Sequence, residues 1–258
     1  MAEVGVKIPG VDVWRERFAG DVDRYVVIGG AARELIYAEH GMWDDTVTKD
    51  LDVVLIAEAL DAGFVSRFMA FVRDAGYSHV TKSGDTQMYR FSVPVVRAYP
   101  QQVELLCRRP DYLAGVEAVV GKVPIDDSEY SLSAILLDDD YYGLLASGVA
   151  VTGRYGMPTL AHEYLPVFKM RAFDDLTARR ARGENVQSGE VGKHRRDIAR
   201  LMAIMPAGTR VDLPEAVRAE VDTFLGLVDE PSRSYMRDLG LGGLTFDDVR
   251  ERIREVYL

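Results

Sequence analysis

Asp50 and Asp52 stand two residues apart at the entrance to the β-branched run from Leu51 to Ile56, and Gly29-Gly30 closes an earlier run from Tyr25 to Ile28. Residues two apart on a strand project to the same face, so both carboxylates can aim at one point. That donor set suits a hard divalent cation such as Mg²⁺, which takes oxygen ligands and keeps water and substrate phosphates in its remaining positions. An acidic pair at a loop edge is equally at home simply solvated. The glycines add context: without a Cβ they let the backbone approach a triphosphate, and amides at the start of a following helix favour negative charge. A tight strand-to-helix turn is their plainer explanation. Thr48, just before the acidic pair, offers a hydroxyl donor. A third carboxylate, Glu104, lies inside the apolar run Val103 to Cys107, where an ionised side chain is costly unless paired or metal-bound. A solvent-facing position on a half-exposed strand is the alternative for it.

Positioning these groups requires a strand over Tyr25 to Ile28, a helix over Ala31 to His40 ended by Gly41, and a strand over Leu51 to Ile56. Phe64, Phe68, Phe71 and Val72 follow helical spacing up to Gly76. Met88 to Val93 and Val103 to Cys107 read as strands able to pair antiparallel around Pro94 and Pro100, and Ala134 to Leu137 as a further short strand. Beyond Gly156 the texture becomes helical: Leu160 to Arg182, Gly192 to Met205, Leu213 to Leu227 and Thr245 to Tyr257. Thr245 with Asp248 is suited to cap the last of these, and Gly183 to Gly192 is the expected loop. The expected division is 1–150 for the site-bearing part and 151–258 for a helical part.

The 258 residues carry 41 acidic and 31 basic side chains, a formal charge of −10, which argues against a surface that coats nucleic acid as a whole. Between Arg154 and Arg200 the balance reverses, with Arg179, Arg180, Arg182, Arg195 and Arg196 forming either a solvated helical surface or a phosphate-facing one. No apolar run approaches the roughly 20 residues needed to cross a bilayer, so no membrane partner is expected. The start of the chain lacks a basic leader with an apolar stretch, and the single cysteine, Cys107, admits no intramolecular disulfide; cytoplasmic residence is the expectation. Cys107, in its apolar run, reads as core rather than catalytic.

The segment Val-Ile-Gly-Gly-Ala-Ala-Arg-Glu-Leu-Ile from Val27 to Ile36, followed by Thr-Lys-Asp-Leu-Asp-Val-Val from Thr48 to Val54, resembles the signature of polymerase-β-like nucleotidyltransferases. The resemblance implies an α+β fold, with a mixed sheet flanked by helices and a helical C-terminal domain. It also implies that Gly29 and Gly30 hold nucleotide phosphates and that Asp50, Asp52 and Glu104 bind Mg²⁺ in a two-metal site. Glutamate stands at the third position where aspartate is more usual. Within the superfamily the chain is most similar to the AbiEii/AbiGii-type nucleotidyltransferase toxins. Their later motifs resemble Phe168 to Ala172, with Lys169, and Lys193 to Leu201, with Asp197. By that resemblance Lys169 contacts the phosphates and Asp197 orients the nucleotide or assists the reaction; a plain surface ion pair is the alternative. The likeness runs from about Tyr25 to Leu201. Arg33 and Glu34 also resemble CCA-adding enzymes, but the later helical motifs of that family are not found here.

The implied reaction moves a nucleoside monophosphate from a nucleoside triphosphate to an acceptor hydroxyl. The acceptor would be RNA, most plausibly tRNA, and the protein the toxin of a toxin-antitoxin or phage-defence system with a cognate antitoxin. Transfer to a small molecule such as an aminoglycoside, or an inactive nucleotide-binding module, are the competing readings.

Overall fold

The structure, a computed structural model, describes residues 8–42, 48, 50–56, 61–79, 88–107, 138–153, 155–229, 231–232 and 234–258. It is α+β and divides into two compact units: Met1–Asp126 with Val149–Ala161, and Asp127–Gly148 with His162–Leu258.

The first unit holds a seven-stranded mixed sheet in the order β3-β4-β5-β2-β1-β7-β6. Its strands are β1 (Tyr25–Val27), β2 (Asp50–Leu55), β3 (Ser78–His79), β4 (Met88–Ser92), β5 (Gln102–Cys107), β6 (Val149–Val151) and β7 (Pro158–Leu160). The hairpin-like pairing of β4 with β5 is antiparallel, as the prolines between them allow. By contrast β2 runs parallel to β5 and antiparallel to β1. Among the described residues the unit also contains α1 (Val11–Arg17), α2 (Gly29–Glu39) and α3 (Ala62–Ala75). Asp61 caps α3 by accepting from the amide of Phe64, and Gly76 ends it in the left-handed region that a side chain would resist.

Nearly continuous apolar side chains bury β1 completely, and an aromatic cluster fills the space between strands and helices. Trp14 from α1 meets Phe18 at 4.3 Å and Phe71 edge-on at 5.3 Å, while Phe68 meets Phe91 of β4 edge-on at 5.1 Å. Such edge-to-face pairs place positive ring edges against negative faces and add to the area they bury.

The second unit is helical: α4 (Asp139–Ser147), α5 (Leu165–Ala181), α6 (Ser188–Ala203), α7 (Glu215–Leu227), the single turn α8 (Tyr235–Asp238) and α9 (Phe246–Tyr257). Helix α5 packs against α6 and α7. Thr245 and Asp248 form a reciprocal capping box at the start of α9, each satisfying the other's amide.

Two local readings differ from the sequence expectation. The helical pattern from Leu160 begins instead with β7, and the helix starts at Leu165 with Pro166 in its first turn, where a missing amide costs nothing. Helix α6 begins at Ser188, four residues before Gly192, so the loop after α5 is shorter than expected. The strand expected at 134–137 lies outside the described residues, and no helix among those described is long and apolar enough to cross a membrane.

Because Trp14 is fully buried at the centre of the aromatic cluster, Trp14→Ala should lower unfolding free energy by about 3–5 kcal/mol in urea titrations. A loss below about 1 kcal/mol would show that the cluster does not hold the first unit together.

Candidate active site

The amide of Ile28 donates to the carbonyl of Asp52 at 3.0 Å, carrying the β1–β2 pairing to the mouth of the sheet. There the chain must turn at once into α2. Gly29 does so with φ of 65°, in the region that favours glycine. A Cβ on Gly29 would lie 2.1 Å from the Asp52 Oδ2, and one on Gly30 3.0 Å from the Thr48 Oγ1. The two glycines thus make room for a carboxylate and a hydroxyl that face the first turn of α2. The Gly30 amide lies 3.4 Å from the Asp52 Oδ2. The cap residue Ile28 offers no side-chain acceptor and no acid occupies the first turn of α2, so the Asp52 carboxylate supplies the negative charge that the helix start favours.

Register sets the rest of the acidic face. In the parallel pairing of β2 with β5, Asp50 stands beside Gln102 and Asp52 beside Glu104. With a period of two, all four side chains belong to one face of the sheet, and the residues between them, Leu51 and Val103, are buried on the other. Asp50 and Asp52 are half-buried and Glu104 is buried. Glu104 accepts a hydrogen bond of 2.5 Å from the Gln102 amide nitrogen. On its other side the register of β4 sets Arg90 opposite Glu104, so Glu104 stands between Asp52 and Arg90 in the sheet order. In the present arrangement, no group of three or more His, Cys, Asp or Glu among the described residues is drawn together closely enough to hold a metal ion. The chemistry of the donors nevertheless fits Mg²⁺: three carboxylates, no thiolate and no imidazole on this face.

Two supporting residues were not singled out from sequence for the roles they play. Arg33, three residues after Gly30, is buried within α2, pairs with Glu34 at 2.5 Å and reaches the Thr48 Oγ1 at 3.3 Å. Its position one helical turn beyond the glycines was the available signal. Gln102 was legible only as a residue two before Glu104 on the same strand face.

In the second unit, Lys169 on α5 donates to Asp197 on α6 at 2.9 Å, and both side chains are buried. They are therefore an internal pair rather than the surface pair that amphipathic helices usually make. Removing either partner of such a pair strands a buried charge. His194, one turn before Asp197, has its Nδ1 sealed from solvent without a hydrogen-bond partner among the described residues. Burial pushes its imidazole down to about 3, the Lys169 ammonium adds to this, and Asp197 opposes it. His194 is thus neutral near pH 7, not a cation facing phosphate.

The basic stretch is also partly engaged within its own unit. Arg179 is buried and donates to Glu184 at 2.7 Å, Arg182 donates to the same carboxylate, and Arg195 lies 4.9 Å over the Tyr235 ring. Arg180 is exposed.

No family model matches this chain, and neither does any curated protein. Among solved structures it is similar to an antigenic nucleotidyltransferase-like protein from Paracoccidioides brasiliensis. The identity is 14%, 96% of this chain and 91% of that one are covered, and the TM-score is 0.45.

The depressed imidazole gives a pH prediction. In the unfolded chain His194 protonates near its ordinary value of about 6.5, whereas the folded state resists until about 3. Its contribution is present above 6.5 and is lost as pH falls toward 3. Urea unfolding of His194→Gln between pH 7.5 and 4.5 should show a shallower loss of stability with acid than the parent. Parallel curves would place the ring in solvent.

Proposed function

We propose that the chain is a Mg²⁺-dependent nucleotidyltransferase that moves a nucleoside monophosphate from a nucleoside triphosphate to an acceptor hydroxyl on RNA, with tRNA the favoured acceptor. The observation that carries this reading is the register of Asp52 beside Glu104, with Asp50 on the same face, against the Gly29-Gly30 turn. A carboxylate face next to the first amides of a helix is suited to a cation–triphosphate complex.

Asp50, Asp52 and Glu104 would hold the two Mg²⁺ ions, which when bound make an acceptor hydroxyl more acidic and neutralise a departing pyrophosphate. The chain's own part is positioning. Gly29 and Gly30 admit the phosphates to the amides of α2, and Thr48, held by Arg33, presents its hydroxyl beside Gly30. Gln102 orients the Glu104 carboxylate. The acceptor oxygen forms a bond to the α-phosphorus while the bond from that phosphorus to the bridging oxygen breaks; pyrophosphate leaves, and the acceptor proton passes to a carboxylate of the face. Lys169 and Asp197 enter through the family resemblance, as a phosphate contact and the group that orients it. A toxin role with a cognate antitoxin rests on the same resemblance.

Incubation with each α-labelled nucleoside triphosphate and Mg²⁺, with and without total tRNA, tests the reading. Label should appear on RNA. Asp50→Asn and Asp52→Asn should each reduce transfer by at least about 10²-fold while leaving the thermal midpoint within a few degrees. Label on a small molecule, or equal transfer by both variants, would overturn it.

A further inference from the structure

A cavity of about 640 Å³ opens beside the acidic face of the first unit, with Asp50 and Gln102 on one wall and Val93, Arg97, Tyr99 and Gln101 on the other. Its volume lies in the range of small-ligand sites. The loop that builds it is firmly tied. The Val95 and Val96 amides donate to the end of α3, the Val93 amide to the Gln101 carbonyl, and the Tyr77 hydroxyl to the Pro100 carbonyl at 2.7 Å. Gly10, with φ of 75°, lies so close that a Cβ there would meet the Pro100 nitrogen at 2.0 Å. Held this way, Val93 adopts φ of 53°, the one positive φ outside glycine among the described residues. A β-branched residue reaches that region only where its surroundings force it, and such strain concentrates at working sites.

The lining has a particular chemistry. Tyr99 presents an aromatic wall braced by Phe71 at 5.0 Å. Val93, 73% accessible, and Pro94 add an apolar edge. Arg97 is exposed and makes no hydrogen bond or ion pair among the described residues. Asp50 is the only acid among the described lining residues, and the two glutamines supply neutral donors and acceptors. An aromatic and apolar surface accepts the face of an unstacked base, a lone guanidinium accepts a phosphate, and amides read ribose or base edges. A polycationic small molecule would meet Arg97 instead.

We propose that this cavity seats the 3′-terminal nucleotide of a single-stranded RNA acceptor, with its phosphate on Arg97, its base against Tyr99 and Val93, and its hydroxyl toward Asp50. The inference rests on the nucleotidyltransferase reading and adds that the acceptor enters as a single strand, and where. It moves acceptor recognition to the sheet loop, away from Arg179 and Arg182, whose charges are answered by Glu184.

Binding separates the two readings. The full chain, Arg97→Ala and Arg97→Glu should be titrated with a fluorescein-labelled single-stranded RNA 12-mer, and with a duplex whose 3′ end is recessed, across a KCl series. The parent should prefer the single strand. Arg97→Ala should weaken that binding roughly tenfold, as for loss of one charged hydrogen bond, and Arg97→Glu further. The salt slope should fall by about 0.7, the value for one phosphate of a single strand. Equal affinity and slope in all three proteins, or equal affinity for the recessed duplex, would overturn the pocket. Label transfer to RNA with an unchanged KM in both variants would likewise overturn it while leaving the reaction standing. RNA binding through Arg97 without transfer from any nucleoside triphosphate would sink the reaction and leave the pocket.

Discussion

The fit of the Asp52 carboxylate into the space left by Gly29 is the constraint on which the rest of the site depends. Only glycine both takes the left-handed turn and leaves that space, so the strand β1 can end, the helix α2 can begin, and a charged group on the neighbouring strand can approach the first helical turn. From there the sheet order follows through to function. Asp52 is held on one side by β1, through the hydrogen bond between the Ile28 amide and its own carbonyl, and on the other by β5, which brings Glu104 into register. Each carboxylate has a local support that fixes it: a helix amide for Asp52, Gln102 for Glu104.

The energetic character of the two units differs. In the first, aromatic burial around Trp14 supports the sheet that carries Asp50, Asp52 and Glu104. The second encloses opposite charges, Lys169 with Asp197, and a neutral imidazole beside them. A buried pair of that kind adds little net stability over apolar packing but penalises any arrangement that separates its partners.

The strands β1, β2, β4 and β5 were legible because each is a run of β-branched or apolar residues bounded by glycine, proline or acid. The glycine turn and the Asp50–Asp52 spacing were legible for the same local reason. What was hidden lies in pairings between distant residues. Nothing local says that β2 takes β5 as a parallel neighbour, and so places Glu104 beside Asp52. Lys169 and Asp197 sit on separate helices, so nothing local declares their mutual bond or the sealing of the His194 Nδ1 from solvent. Strands β6 and β7 have three residues each, too few for a period to declare itself. The segment from Val93 to Gln101 read only as a proline-broken connection, although Val93, Arg97 and Tyr99 wall a cavity.

Whether Asp52 and Glu104 act as one divalent-cation site is the central claim, and calorimetric titration of Mn²⁺ into the full chain tests it most directly. The measurement would be made with a non-hydrolysable nucleoside triphosphate present, for the parent, Asp52→Asn, Glu104→Gln and the double variant. One shared site predicts strong coupling: either single change removes most of the binding, and the double variant loses little more. Glu104→Gln binding Mn²⁺ as the parent does, or two modest losses that simply add, would contradict it.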